Sequence, residues 1–540
     1  MAAPAFMNMP ILRGAHEAVR DGLGSPARRD GAVAAICTAF VLVFYLWLAS
    51  AGTWTRFPYT ISYHSTLATA FLHGQLSFLE EPDPALLALP DPYDTAQLAS
   101  VRYPLDYSLY GAKFYAYFGP VPALLLAPIQ YLTKTVFSDR AVSLAFICGL
   151  LVVNALLVVK IRRQYFGAAP LWTLAAGILV MGMAVPTGFM LDFAGYYATA
   201  SVMGGAFFFM AGLCAAFDAL SRGAISRPGL ALAGALWAAA VGTRITHVVA
   251  VALLTVLISV AILALERISR GLHRALGSIA ALGGPVMLGG IGLGWYNYAR
   301  FGSALETGLR YQLNPQSMKN LFMAGSGGVF SPVYVVQNLW NYLLMPFSPH
   351  GVFPFADLRA PWIDSVIPGL RLPGIYHPEW MVGIICAAPV VLFAGWTVGL
   401  ALRGRMLTPE KSQIELGGVV LALWLALLAG GAVIMSFFWA AERYVPDFVY
   451  PLYLLSVIGF WQCGQNVSRT PGRRTLYVLL GAGLIGASIL IGNLLAMGQA
   501  KVQFDILNPG AWERMQQLTG GDLRRFQPEL WQRLRELLGL

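Results

Sequence analysis

The residues that could do chemistry gather in a few places. A polar stretch from Trp54 to Tyr117 holds six carboxylates, Glu80, Glu81, Asp83, Asp91, Asp94 and Asp106, together with Lys113 and many tyrosines. A carboxylate outside a membrane can act as general base toward an incoming hydroxyl or amine. Asp94 and Asp106 are the leading candidates, with Asp91, Glu80 and Glu81 behind them. An ordinary solvated loop is also rich in Asp and Pro. Lys113, beside tyrosines, suits a lipid phosphate, and equally suits a snorkelling lysine within an aromatic belt.

Further along, Arg244 and His247 interrupt the apolar run from Leu230 to Leu265, and Glu442-Arg443-Tyr444 with Asp447 opens a later one. Ionisable groups inside apolar runs are functional candidates. Arg244 and Arg443 are assigned to phosphate binding, Arg443 alternatively to an anchoring ion pair. His247 reads as a core histidine or a functional one. Glu442 and Arg443 are adjacent and would not face each other on a helix, so each needs another partner. Asp192, between two apolar runs, reads as a paired structural acid. The chain shows no DxD, zinc spacing, Walker loop or nucleophile elbow, so no metal or nucleotide cofactor is expected. An activated donor working outside the cytoplasm then has to arrive on a lipid.

The elements that must position these groups are helices in lipid. Of the 540 residues, 57% are hydrophobic and 11% charged, against about 25% charged in a soluble protein. Mean hydropathy is +0.63, and apolar runs of roughly 20 residues recur, which is the pattern of a polytopic helical membrane protein. The excess of ten positive charges sits mostly in short loops between those runs, an orientation signal rather than a nucleic-acid footprint. Cys37, Cys148, Cys214, Cys386 and Cys463 fall in or at the end of apolar runs without paired spacing, so no disulfide is expected.

The expected fold is all-α and polytopic, with about eleven transmembrane helices and short interfacial helices in the outer loops. Spans are placed at 32–51, 141–159, 171–185, 197–217, 230–243, 246–265, 276–295, 381–402, 416–438, 445–463 and 476–497. With residues 1–31 cytoplasmic, every inward loop is then basic: Lys160, Arg162 and Arg163; Arg222 and Arg227; Arg267, Arg270 and Arg274; Arg403, Arg405 and Lys411; Arg469, Arg473 and Arg474. Residues 119–133, interrupted by three prolines, read as a helix near the interface. The transmembrane domain covers 32–497, with outer loops at 52–140 and 296–380 and an outer tail at 498–540 whose segment Pro528–Leu538 is amphipathic. Within the first loop, a short helix from Thr60 to Gly74 is capped by Ser62, buries Leu67, Phe71 and Leu72 on one face, and ends at Gly74.

Several motifs carry a family likeness. They are Leu67-Ala68 with Phe71-Leu72-His73-Gly74-Gln75-Leu76, then Asp91-Pro92-Tyr93-Asp94, then the run from Asp106 through Lys113 to Pro120. Asn297 to Ser303, Glu306-Thr307-Gly308, Arg310-Tyr311-Gln312, and Arg443-Tyr444 with Asp447-Phe448 continue it. In these the chain resembles the GT-C class of integral-membrane glycosyltransferases, especially the branch of lipid A aminoarabinose transferases and protein O-mannosyltransferases, and a large set of bacterial membrane proteins with the same loop. The likeness covers most of the membrane region and fades over 321–380 and the tail.

The resemblance implies a bacterial inner-membrane enzyme. It would move a sugar from a polyprenyl-phosphate donor, on the extracytoplasmic face and with inversion, to an envelope glycan, lipid or protein. In the better-known branches an acid soon after the first span is the base. Tyr63-His64 stand there in this chain. The base then falls to Asp94 or Asp106, or to Glu80 or Glu81, with Arg310 and Tyr311 as further site candidates. The alternative reading is a lipid or glycolipid transporter without covalent chemistry. It is disfavoured because no inverted repeat is visible.

Overall fold

The computed structural model describes residues 25–519 apart from 59–61, 193–196, 222–223, 270, 315–320, 323–326, 361–365, 404–406, 409–412 and 468–470. The expected amphipathic segment Pro528–Leu538, the expected helix start at Thr60 and the basic residues Arg222, Arg270, Arg405, Lys411 and Arg469 lie outside the described residues.

The chain is mostly helical. Among the described residues, seven helices are long and apolar enough to cross a membrane, which makes the chain a multi-pass membrane protein. Those used below are α1 (Pro26–Ala49), α2 (Tyr63–Leu72), α3 (Val121–Thr133), α4 (Asp139–Tyr165), α5 (Leu171–Met183), α6 (Tyr197–Ser221), α7 (Arg227–Thr243), α8 (Val248–Ser269), α9 (Leu272–Phe301), α10 (Leu416–Met435), α11 (Val449–Val467), α12 (Pro471–Leu507) and α13 (Pro509–Leu518). The span expected at 381–402 is a broken element: a short helix Ile384–Ala387, a 3-10 stretch Pro389–Thr397 and a last helical turn. Pro389 supplies the break, because it lacks the N–H that would continue the ladder.

Helices α4, α6, α7 and α9 form one packed block. Lipid offers no hydrophobic drive between helices, so close packing of small side chains must hold them. The sequence of α7, RPGLALAGALWAAAVGT, is built for that: Ala233, Gly234, Ala240 and Gly242 are buried, and Trp237 fills the gap between them. The Trp237 indole N–H donates to the Phe209 carbonyl of α6 at 3.2 Å, so its one polar group is satisfied inside the bundle.

The segment expected as the first outer loop makes a second, smaller core. Tyr63, Leu67, Phe78, Leu98, Phe114 and Leu126 are buried together. Helix α2 ends as expected: Gly74 has φ +72°, Gly74 N–H donates to Phe71 O and Gln75 N–H to Ala70 O, both at 3.0 Å, which is a Schellman stop. Its start differs from the expectation. The Ser62 side chain makes no cap. The carboxylate of Asp139, the first residue of α4, accepts Tyr63 N–H at 2.7 Å and His64 N–H at 3.2 Å instead. A charged acceptor from a neighbouring helix serves the orphan donors better than a hydroxyl. The buried face also differs, since Leu72 is 44% exposed.

The expected fold was all-α, and a β-hairpin stands in the same loop region. Strand β1 (Tyr107–Tyr110) pairs antiparallel with β2 (Lys113–Ala116). Gly111 and Ala112 both have φ +56°, the geometry of a type I′ turn. The aromatic residues Tyr107, Tyr110, Phe114 and Tyr115 on either side of Gly111-Ala112 are the sequence signal for it.

Candidate functional site

A cavity of about 760 Å³ opens where the segments 52–140 and 296–380 meet the ends of α6, α7 and α9. Its polar lining comes from Asp106, Arg244, Arg300, Glu379 and Arg443, with Tyr117 and Tyr444. One wall is apolar and includes Ile245, Val248 and Val249, which are 41–45% exposed. That wall belongs to the start of α8, a membrane-length helix. Further along the same helix Val256 and Val260 are 60–61% exposed, so the cavity wall leads onto an exposed apolar helix face.

Asp106 is placed by both loops. It precedes β1 and sits at φ +60°, a left-handed conformation that Asp tolerates better than most residues. Its own N–H donates to Leu313 O at 2.9 Å, and Leu313 N–H returns to Tyr107 O at 2.8 Å. Ser108 bridges to Gln312, so residues of the second loop act as a short extra strand on the hairpin. The Asp106 Oδ1 accepts from Gln312 Nε2 at 2.6 Å and from Asn314 Nδ2 at 2.8 Å. These two amides fix the carboxylate against the cavity. The close approach needs Gly308, at φ +97°, where a Cβ would stand 2.7 Å from Ser108 Oγ and 2.8 Å from the Phe301 ring.

Three arginines line the same cavity. Arg244 follows α7, and its Nε donates to both oxygens of Asp447 at 3.0 and 3.1 Å. Thr246 Oγ1 donates to the same carboxylate at 3.0 Å. Arg443 pairs with Glu379 of the second loop, and Trp439 Nε1 donates to the other oxygen of Glu379 at 2.7 Å. The Tyr444 ring lies 5.1 Å from each of the Arg244 and Arg443 guanidinium carbons, within cation–π range of both. Arg300, near the end of α9, donates to Ala116 O at 2.6 Å, Asn297 Oδ1 at 2.8 Å and Tyr296 O at 3.3 Å.

Tyr117 ends the hairpin inside the cavity. The Tyr63 hydroxyl accepts its N–H at 2.8 Å. Two residues on, Gly119 crosses the end of α7 so closely that a Cβ would overlap the Gly242 carbonyl. The hairpin and Arg244 are thus joined backbone to backbone.

The remaining sequence candidates lie elsewhere. Asp94 caps the one-turn helix Thr95–Leu98, accepting Ala96 N–H at 2.9 Å. Asp91 accepts Tyr93 N–H at 3.1 Å. Glu80, Glu81 and Lys113 are exposed and do not line the cavity. Arg310 stacks over Phe322 at 4.9 Å, and Tyr311 packs against Phe301 and Tyr110. His247 is buried behind Arg244, its ring stacked on Phe209. Asp192 accepts from Gln503, which in turn accepts from Arg140 at 3.2 Å. That cluster joins α4 to α12, apart from the cavity. His64 stands 3.3 Å from Ser201 Oγ, also away from the lining. Among the described residues, no three His, Cys, Asp or Glu side chains come together as a metal site.

Glu442 finds a partner other than Arg443: Oε2 accepts Val382 N–H at 3.2 Å. It is buried, and Oε1 has no hydrogen-bond partner among the described residues. Burial pushes its carboxyl up to about 8, against the pull of the Val382 N–H.

No family model matches the chain, and no curated protein does. Two solved structures are similar at a distance. One is the oligosaccharyltransferase of Archaeoglobus fulgidus in the apo form, with 12% identity, a TM-score of 0.48, and cover of 86% of this chain and 56% of that one. The other is the oligosaccharyltransferase AglB of the same organism in complex with an inhibitory peptide and a dolichol-phosphate, with 10% identity, a TM-score of 0.46 and the same cover. The chain spans little more than half the length of either.

Of the lining residues, Tyr117, Asn297, Arg300 and Gln312 lie inside motifs that the sequence singled out, yet none but Asp106, Arg244 and Arg443 was given a chemical role from it. Glu379 had no signal at all. It sits in the second loop, where the family likeness fades.

Proposed function

We propose that this chain is an inverting membrane glycosyltransferase that takes its sugar from a polyprenyl-phosphate donor and works on the extracytoplasmic face. One observation carries the reading: a single cavity holds a buried carboxylate and several guanidiniums, and one of its walls leads onto an exposed apolar helix face. A lipid-linked anion needs that combination, whereas a soluble substrate has no use for a side opening toward the bilayer.

In this reading the donor's isoprenoid lies along Val248 and Val249, and its phosphate lies among Arg244, Arg443 and the end of α9. Asp106 accepts the proton of the acceptor hydroxyl or amine. The acceptor atom bonds to the anomeric carbon from the face opposite the phosphate. The carbon–oxygen bond to phosphate breaks with its electron pair, leaving polyprenyl phosphate. Fixed cations stabilise the charge that builds on the leaving group, and being preorganised they need no rearrangement to do so. Arg244 is suited to this because Asp447 takes only its Nε, which leaves the terminal nitrogens to the cavity.

The test uses purified protein in lipid nanodiscs with radiolabelled polyprenyl-phosphate sugars. Sugar release is expected from the wild type and its loss from Asp106→Asn, with donor binding retained. Full turnover by Asp106→Asn defeats the assignment of the base. Movement of lipid across proteoliposomes with no covalent product favours the transporter reading instead.

A further inference from the structure

Three arginines face the cavity, and they are not equivalent. Arg244 has Asp447 and Arg443 has Glu379, so each positive charge is balanced inside the protein. Arg300 has no carboxylate within ion-pair distance among the described residues, although it is only 4% exposed. Its partners are two backbone carbonyls, the amide oxygen of Asn297, and the faces of Tyr296 and Phe301 at 3.8 and 4.5 Å. The carboxylate whose field reaches it is Glu306, and Glu306 Oε1 accepts Gly308 N–H at 2.8 Å. A buried charge without a counter-ion is expensive, and chains retain one where a ligand supplies the opposite charge.

The donor count agrees. A guanidinium has five N–H groups. Three of Arg300's are used, one on each nitrogen, which leaves one on each terminal nitrogen. One spare N–H on each terminal nitrogen of a planar cation can be offered to the oxygens of a phosphate. Every bond that Arg300 does make holds it in place: the Ala116 carbonyl belongs to β2, and Asn297 is one turn back on its own helix.

We infer that Arg300 is the anion seat of this cavity, binding the phosphate of a phosphoester headgroup. Arg244 and Arg443, already neutralised, shape the phosphate's surroundings, and Arg300 supplies the net charge that draws it in. This inference rests on the proposed lipid-phosphate reading of the cavity and assigns the group on which binding depends most.

The experiment measures binding of decaprenyl phosphate to the full chain in nanodiscs by native mass spectrometry, with inorganic phosphate as competitor. It compares the wild type with Arg300→Lys, which keeps the charge and loses the fork, and with Arg300→Met. The wild type is expected to bind decaprenyl phosphate, Arg300→Met to bind it roughly 30-fold more weakly or worse, and Arg300→Lys to fall between. Thermal melting of each variant reports folding. If Arg300→Met fails to fold, Arg300→Lys and the upward melting shift that decaprenyl phosphate gives the wild type carry the test. Competition by millimolar inorganic phosphate would identify the phosphate itself as the recognised group; its failure to compete would assign recognition to the whole lipid headgroup. Both results support the seat when Arg300→Lys weakens binding. Wild-type affinity in the folded Arg300 variants overturns the inference and leaves the reading of the cavity intact. No binding of either phosphate by the wild type overturns both.

Discussion

Two aspartates twelve residues apart in the chain have opposite surroundings. Asp106 is 8% exposed and clamped by two amides at the cavity, whereas Asp94 caps a one-turn helix. Asp106→Asn should therefore lower sugar transfer by about 10²–10⁴-fold, the usual contribution of a general base. Asp94→Ala should leave turnover unchanged and cost about 1 kcal/mol of stability through loss of the cap. A donor-release assay and a melting curve separate the two. The sequence offered both acids as equals. The cue that divides them was present, since Asp94 precedes Thr95-Ala96-Gln97 as an N-cap would. Glu442 gives a second prediction at this scale. Its carboxyl sits at about 8 when folded, above an ordinary value of 4.5. The native state then binds the proton more tightly than the unfolded chain does. The stability this contributes is complete below about pH 4.5 and is lost as pH rises to about 8. Glu442→Gln, which cannot ionise, should flatten the fall of melting temperature across that window.

At the scale of elements, the hairpin decides the geometry. Its end is tied to α2 by Tyr63 and pressed onto α7 at Gly119. Gly119→Ala should push the hairpin off α7 and cost about 1–3 kcal/mol, as overpacking does. Donor turnover should fall with it, because Tyr117 and Arg244 lose their common frame. Tyr63→Phe removes one hydrogen bond and should cost about 1 kcal/mol, read as a smaller melting shift. Hydropathy gave the places of the long helices well, since long apolar runs have few other uses. It was silent on the hairpin and on the swap of Ser62 for Asp139 as a cap. The hairpin is local and is set by a turn that hydropathy does not register, whereas the cap depends on which segments meet in space, which local spacing does not contain. The same limit hid Glu379, whose partner Arg443 lies 64 residues further on.

At the scale of the whole molecule, α4 is a ruler. Its 27 residues run from Asp139, which meets α2, to Tyr165, just past Arg162, which pairs with Asp30 near the start of α1. At 1.5 Å per residue that is about 40 Å, enough to cross a bilayer. Residues 100 and 168 should therefore lie on opposite faces. In intact cells a membrane-impermeant maleimide is expected to label Ser100→Cys and to reach Ala168→Cys only after permeabilisation. Labelling in the reverse order would put the cavity on the cytoplasmic side and remove the extracytoplasmic donor from the scheme. The basic loops of the sequence supply this orientation, while the structure supplies only the distance between the two ends.

The clamp on Asp106 also has a consequence for biosynthesis. Gln312 and Asn314 follow Asp106 by more than 200 positions, so a ribosome inserts seven of the eleven expected spans before the acid has its supports. Nascent chains halted ahead of Asn314 would carry every helix of the central block and still lack an ordered carboxylate. Competence would arrive late and abruptly, which a series of stalled translation intermediates could time.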